Sequence, residues 1–330
     1  MGNRILLPTL AAVTAALCVL SLAVGPSPID LVAAVKQLIL GLTSTEAAII
    51  GQIRLPRTLL AVATGASLGL AGAAMQGWVR NPLAEPGLLG VSASAALGAV
   101  IVFYGGWTLY HPLALPLGGI AGALVSVLFL YALAGRAATA HTLILAGVAV
   151  NSIAGALTSL TLSLSPNPFA LSEIVFWLLG SLADRTTEHV LLMAPFVAVG
   201  TAMLLSAGKG LEALSLGEET AFTLGFSPTR VGVTVAAGTA LAVGASVAVI
   251  GAVGFVGLVV PHVLRPLVGH SARRLLPAAA FGGAALVLAA DCTVRLMAPG
   301  PELKLGVVTA LIGAPFMLAL VLRLRHAGMR

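Results

Sequence analysis

The sequence predicts an all-α polytopic membrane protein, a chain that crosses the bilayer many times as helices. Of its 330 residues, 59% are hydrophobic and only 8% are charged, and the mean hydropathy is +1.08. A soluble domain carries about 25% charged residues, so this chain has too few charges to cover a soluble surface. In lipid only helices and closed barrels satisfy their own backbone groups. The apolar residues form unbroken runs of helix length, whereas barrel strands would alternate apolar and polar residues.

Ten apolar runs are each close to the roughly 20 residues that a spanning helix needs. The first run could pass for a signal peptide, but it leads straight into a polytopic chain, so we interpret it as the first span. The eighth is short, and Pro261 interrupts it. The runs lie near residues 5–24, 57–77, 88–106, 114–134, 142–164, 190–207, 229–250, 253–268, 276–296 and 305–322.

The basic residues favour an orientation with both termini in the cytoplasm. Ten spans put the two termini on one side, and with that side inside, eleven of the 17 Lys and Arg residues are cytoplasmic. This agrees with the positive-inside rule. Because the basic residues are scattered singly between apolar runs, the net charge of +6 indicates topology and not nucleic-acid binding.

Two amphiphilic segments interrupt the pattern of spans. Residues 165–189 start with two prolines and carry Glu173 and Asp184 around a short apolar core. This pattern predicts a short helix at the outer surface. Residues 209–228 form the one sizeable cytoplasmic loop, in which Gly217 divides two small helices that end near Gly225. With no other break in the pattern, residues 1–330 are predicted to be a single transmembrane domain.

Glycine is frequent, with 38 residues, and many glycines are spaced four apart. Such spacing favours close packing of helices in lipid, where small residues let two backbones approach. An alternative is that some of these thin helix faces line a passage for a bulky solute, with Asn151 as its polar wall residue. The stripes are Gly65 with Gly69, Gly118 with Gly122, and Gly147 with Asn151 and Gly155 on the fifth span.

The polar side chains predict neither a metal site nor a cofactor bound by this chain. Cys18 and Cys292 lie far apart inside apolar runs and are too few for zinc or a disulfide framework. His262 invites a haem-ligand hypothesis, but a histidine at a kink can equally satisfy freed carbonyl groups. The phosphate-binding motif G-x-x-x-x-G-K-[ST] does not occur, so we expect no nucleotide site.

Three stretches carry motifs that go beyond composition. They are residues 54–92 (RLPRTLLAVATGASLGLAGAAMQGWVRNPLAEPGLLGVS), residues 211–225 (LEALSLGEETAFTLG), and residues 254–316, from GFVGLVVPHVLR through RRLLP and AADCTVR to PELKLGVVTALIGAPF. Together they closely resemble the FecCD-type permeases, the membrane subunits of ABC importers for ferric siderophores, haem and cobalamin. The resemblance extends in the expected order across nearly the whole chain.

The resemblance implies a transport subunit of the bacterial inner membrane that is not itself an enzyme. The implied assembly is a homodimer with a translocation path at its interface, two cytoplasmic ATP-binding subunits that hold ATP and Mg²⁺, and a periplasmic substrate-binding protein. The expected cargo is an iron chelate, either haem or a ferric siderophore, with cobalamin as the alternative. An ion-coupled secondary transporter is more remote, because it would need ionisable residues inside the spans, and these are nearly absent.

The resemblance also implies roles for three arginines at the outer surface. Arg54, Arg57 and Arg295 match family positions that make salt bridges with acidic residues on the two lobes of the binding protein. The alternative is that they anchor the helices at the lipid headgroups. Asp291, one turn before Arg295, could orient it.

The second matching stretch is, by resemblance, the coupling helix pair that contacts the ATPase. An amphipathic helix lying on lipid is the alternative, but several acidic residues are a poor match to an anionic inner leaflet. The predicted contact residues are Leu211, Glu212, Leu214, Leu216, Gly217, Glu218, Glu219 and Phe222.

Two cytoplasmic loops are gate candidates by resemblance. One is the Pro-rich connector of residues 81–87, with Asn81 and Leu83, and the other surrounds His141 and Thr142. As plain structure, residues 81–87 form a tight turn in which the Asn81 side chain accepts from the backbone two residues on.

Overall fold

A computed structural model describes residues 3–42, 44–134, 140–164, 168–297 and 303–327, and every regular element in these ranges is helical. A π-helix, Ile49–Arg54, leads directly into α4, and 3₁₀ turns precede α5, α6 and α14. The α-helices are α1 Asn3–Ala23, α2 Leu31–Ile39, α3 Thr45–Ala48, α4 Leu55–Val79, α5 Val91–Tyr104, α6 Ala114–Ala134, α7 Ala140–Ser163, α8 Pro168–Leu178, α9 Thr187–Ser206, α10 Gly208–Leu214, α11 Glu218–Thr223, α12 Pro228–Ile250, α13 Val256–Leu264, α14 Ala272–Met297 and α15 Leu305–Ala327.

The predicted fold class, an all-helical membrane protein, is confirmed. Within the described residues, seven helices are long and apolar enough to cross a bilayer, and Val91–Tyr104 and Leu305–Leu320 are shorter apolar helices. The eighth predicted run contains the nine-residue α13 and a 3₁₀ turn, Pro266–Val268, and no helix long enough to span a bilayer. Ten crossings and the cytoplasmic position of both termini therefore stay predictions.

The short eighth run follows from a break in the backbone between α12 and α13. Gly251 and Phe255 have positive φ angles of 81° and 67°, and the residues between them are not helical. A positive φ suits glycine but is uncommon for a residue as large as phenylalanine. The helix is thus interrupted before α13, so one continuous spanning helix does not form over residues 253–268.

Both predicted amphiphilic segments contain short helices within their described residues. Residues 165–189 contain α8, and residues 209–228 contain most of α10 and all of α11. Gly217 separates α10 from α11 at φ 109°, and Gly225 follows α11 at φ 86°, so the predicted division is confirmed. Their positions on opposite sides of the membrane remain predictions.

Helices α2 and α3 were not predicted as separate elements. The Asp30 carboxylate accepts hydrogen bonds from the backbone N–H groups of Val32 and Ala33 at the start of α2. The Ser44 hydroxyl oxygen accepts from the Ala47 N–H in α3. These side chains satisfy backbone donors that a helix start leaves free.

Helices α4 and α12 form the centre of the bundle, and small residues allow their neighbours to approach closely. A Cβ atom at Gly69 would overlap the Ala279 carbonyl oxygen of α14, and one at Gly65 would overlap that of Gly283. A Cβ atom at Gly122 would overlap the Ser94 carbonyl oxygen of α5, and one at Gly118 would overlap the Val102 side chain of the same helix. The predicted packing role of these two stripes is confirmed.

Candidate functional site

Four ionisable side chains meet at the end of the bundle where α4 begins and α14 ends. Because the sequence predicts that this end faces outwards, we call Arg54, Arg57, Asp291 and Arg295 the outer cluster. Arg57 donates from Nη2 to Asp291 Oδ1 at 2.8 Å and from Nε to the same oxygen at 3.0 Å. Arg295 Nη2 lies 2.9 Å from Asp291 Oδ2. One carboxylate thus joins two guanidinium groups, and the expectation that Asp291 orients Arg295 is confirmed.

Arg54 and Arg295 also hold the carboxyl end of α1. The last four carbonyl groups of a helix have no partner within it, and these guanidinium groups supply donors at 2.6–2.9 Å. The outer cluster therefore fixes α1 to α4 and α14. The acceptors are the backbone oxygens of Leu22, Ala23 and Ser27 for Arg54, and of Ser21 and Val24 for Arg295.

The three arginines of the outer cluster are largely buried within this chain. Arg54 is 3% exposed, and the side chains of Arg57 and Arg295 are 11% and 5% exposed. Internal acceptors pair with most of their donors, which offsets the cost of burying a guanidinium group, although Arg295 Nε has no hydrogen-bond partner among the described residues. Docking of a partner through them stays a prediction, and it would require these contacts to be exchanged.

The coupling segment, α10 with α11, has one buried and one exposed part. Leu211 and Leu214 are buried in the core of this chain, with Leu211 against Gly77 of α4, which corrects their predicted place on the contact surface. Gly217 is a half-buried hinge between the two helices. The exposed side chains of this segment include Glu212, Leu216, Glu218, Glu219, Phe222 and Leu224.

Polar contacts attach the coupling segment to the ends of α4 and α14. Ser271, just before α14, donates to Glu212 Oε1 at 2.8 Å. Arg80, which ends α4 in a left-handed conformation, lies 3.5 Å from Glu218, and both side chains are exposed. Exposed ion pairs stabilise little, so the buried leucines provide most of the attachment.

A polar contact that sequence reasoning missed lies beneath the coupling segment. Gln76 of α4 is buried, and Arg265 donates to its side-chain oxygen at 2.8 Å. The Gln76 amide nitrogen faces the carbonyl oxygens of Gly257 and Leu258 at 3.4 and 3.3 Å. A lone glutamine inside an otherwise apolar span was the available signal, because a polar group at that depth needs a partner.

The first gate candidate loop is a tight connector, as predicted. The Leu83 N–H donates to Asn81 Oδ1 at 2.9 Å, and the Ala84 N–H donates to the Asn81 carbonyl oxygen at 3.1 Å. Asn81 is exposed and Leu83 is half-buried. Burial raises the pKa of the Glu85 carboxyl group in the same loop.

The second gate candidate lies at the start of α7. Thr142 is exposed there, whereas the side chain of His141 lies outside the described residues. Further along α7, Asn151 and Gly155 are exposed, and nothing lies within 4 Å of the position that a Gly155 Cβ would take. Gly147 instead packs against the Leu88 carbonyl group. The stripe of Gly147, Asn151 and Gly155 is therefore closely packed at Gly147 and exposed at Asn151 and Gly155.

His262 is in contact with an aromatic ring. Its imidazole lies edge-on to Phe316 of α15, with the ring centroids 5.6 Å apart. This contact gives the half-buried ring a packing role between α13 and α15.

Comparison with known proteins gives one family over nearly the whole chain. A family model described as the FecCD transport family matches residues 13–323. The chain is 39% identical to a cobalamin import system permease protein of Halobacterium salinarum, over 90% of this chain and 79% of that protein. It is 38% identical to the hemin transport system permease protein of Yersinia pestis, over 83% of each chain.

Two further similarities extend the comparison. An Fe(3+)-citrate import system permease protein of Bacillus subtilis is 35% identical over 93% of this chain and 91% of its own. A solved structure, described as a metal-chelate type ABC transporter in an inward-facing conformation, superposes with a TM-score of 0.84 at 32% identity. That match covers 96% of this chain and 98% of the other.

Proposed function

The chain belongs to the FecCD transport family, and on that premise we propose that it is the membrane-spanning permease subunit of a binding-protein-dependent ABC importer. In this proposal it moves an iron chelate, haem or a ferric siderophore, across the bacterial inner membrane. The energy comes from ATP, bound with Mg²⁺ and hydrolysed by a separate subunit. The functional unit is a homodimer of ten-helix subunits with both termini in the cytoplasm.

The exposed surface of the coupling segment carries the proposal. Phe222 is 72% exposed, and Leu216 and Leu224 are exposed beside it. Glu218 and Glu219 add two carboxylates to this apolar surface. Exposed apolar groups rimmed by charges are typical of a protein interaction site. Because Leu211 and Leu214 fix α10 into the core, a force applied to this surface would reach α4 and α14.

The chemistry of the α7 surface supports a large, weakly polar cargo. Its exposed residues include Asn151, Ser152, Gly155 and Ser159, which are small and uncharged. Such a wall suits a delocalised chelate or macrocycle better than a free ion, which would need charged or closely coordinating groups. Cobalamin is the second candidate, favoured by the 39% identity to a cobalamin permease.

The outer cluster is the proposed docking site for a periplasmic substrate-binding protein. Acidic groups of that partner would compete with Asp291 and with the α1 carbonyl groups for Arg57 and Arg295. Such an exchange keeps each guanidinium group paired with an acceptor, which is what a buried cation needs.

Transport in liposomes tests the whole proposal. The permease is reconstituted with its cognate ATPase and binding protein, and uptake of haemin, ferric siderophores and cobalamin is measured with and without ATP. We expect uptake only with ATP and with all three components, and strongest for an iron chelate. Uptake that follows an ion gradient without nucleotide would contradict the importer assignment, and uptake of cobalamin alone would replace the cargo.

Replacing Phe222 by Ala should weaken binding of the ATPase. Truncation of a central aromatic contact typically costs about 2 kcal/mol, which corresponds to a roughly 30-fold higher Kd. Binding of the purified ATPase to permease in nanodiscs gives this value directly. Phe281→Ala is the matched control, because Phe281 is exposed on α14 inside the membrane span. An equal Kd for both variants would remove Phe222 from the interface.

A further inference from the structure

Helices α5, α6 and α7 surround a groove of about 420 Å³ that the proposed transport function does not use. Its base is the close contact between α5 and α6, where Gly98 packs against Gly118 and Gly122. Ile153 and Ala154 of α7 form the facing wall. The volume is within the range of about 300–1,000 Å³ that is typical of ligand pockets.

The groove is apolar and has the length of one membrane leaflet. Its wall on α6 runs from Gly118 to Phe129, which is about 16 Å at 1.5 Å per residue. The hydrocarbon core of a bilayer is roughly 30 Å thick, so this is close to half of it. None of the described lining residues is charged, and the Ser126 hydroxyl group donates to the Ala123 carbonyl oxygen. A ligand there gains contacts with carbon atoms and little else.

Aromatic residues mark one end of the groove as the membrane interface. Trp107 lines that end, and both Trp107 and Tyr110 are exposed in the connection between α5 and α6. Trp and Tyr are enriched at the level of the lipid headgroups. Along α6 the exposed residues are large and apolar, with Val125 61% and Leu128 72% exposed. The groove therefore opens towards hydrocarbon, whereas Asn151 belongs to the more polar surface of α7.

We propose that this groove binds one acyl chain of a membrane phospholipid, in the leaflet on the side of the α5–α6 connection, with the headgroup beside Trp107. The chain lies along the groove between α6 and α7, over the contact of Gly98 with Gly118 and Gly122. A void there would forfeit the contacts of every atom that lines it. The bound chain stabilises the contact between α5 and α6.

Val125→Trp tests the site by filling it, and Leu128→Trp is the matched control. Both residues are exposed on α6, but only Val125 lines the groove. The two variants and the wild type are purified in detergent from the same membranes, and native mass spectrometry counts the phospholipids retained per chain. We expect Val125→Trp to retain one phospholipid fewer than the wild type and Leu128→Trp. Adding phosphatidylglycerol vesicles to the delipidated proteins should raise the Tm of the wild type and of Leu128→Trp but not the Tm of Val125→Trp.

Equal retention in all three proteins would overturn the proposal. Unchanged retention together with loss of the dimer in Val125→Trp would overturn it in favour of a second copy as occupant.

Trp107 gives a test that leaves the groove unaltered. The chain has three tryptophans, so Trp107 alone remains after Trp78→Phe and Trp177→Phe. In detergent, one equivalent of phosphatidylcholine brominated on an acyl chain should quench its fluorescence to a plateau. Quenching that rises steadily with added lipid indicates an open surface and would contradict a defined site.

Discussion

Replacing Asp291 by Asn should lower the free energy of unfolding by about 3–5 kcal/mol, the cost of removing one partner from a buried ion pair. The Asp291 side chain is 1% exposed and contacts both Arg57 and Arg295. Without the carboxylate, the two guanidinium groups lose the negative charge between them in a region with little water to replace it. Thermal unfolding in detergent measures the change, with Tm as the readout.

Asp184→Asn is the control for this substitution. Asp184 is exposed and has a φ angle of 57°, a conformation that asparagine tolerates well. A surface substitution of this kind should change stability by less than about 0.5 kcal/mol. If both variants unfold at the wild-type temperature, the outer cluster does not stabilise the fold as we describe.

Replacing Gly69 by Val should be the second severe change, with a loss of about 3 kcal/mol or failure to assemble. The new Cβ would overlap the Ala279 carbonyl oxygen, and its neighbours are backbone atoms that cannot rotate away. Overpacking usually costs about 1–3 kcal/mol, and a backbone clash belongs at the upper end. The yield of monodisperse protein and its Tm measure the effect.

Gly155→Val is the matched control for the glycine substitution. Gly155 also lies within a spanning helix, yet nothing lies within 4 Å of its added Cβ. The same chemical change should therefore leave the fold intact. A similar loss at both positions would mean that valine itself, and not the contact between α4 and α14, destabilises the helix.

Local signals predicted the elements that depend on neighbouring residues. Long apolar runs predicted the spanning helices, Gly217 predicted the break between α10 and α11, and Asn81 predicted the tight turn after α4. Each of these features is determined within a few residues. The start of α2 carried a similar signal in Asp30, but the helix has only nine residues and a search for spans passes over it.

Side-chain direction was the part that the sequence could not supply. Arg57 contacts a carboxylate 234 positions away, a pairing that no local pattern in the sequence indicates. Leu211 and Leu214 belong to an amphipathic helix whose apolar side faces its own bundle. An apolar stripe predicts that something covers it, but only the tertiary structure identifies what does.

The hydrogen bonds from Arg54 and Arg295 to the carboxyl end of α1 have a consequence for biogenesis. Within the candidate span of α1 only 11% of the residues are buried, so its carboxyl end relies on Arg54 and Arg295. Arg54 leaves the ribosome soon after α1, whereas Arg295 lies 274 residues after Ser21 of α1. Helix α1 thus depends on a residue that is synthesised much later, and a chain that stalls before residue 295 would leave the end of α1 without the Arg295 hydrogen bonds and open to quality-control proteases.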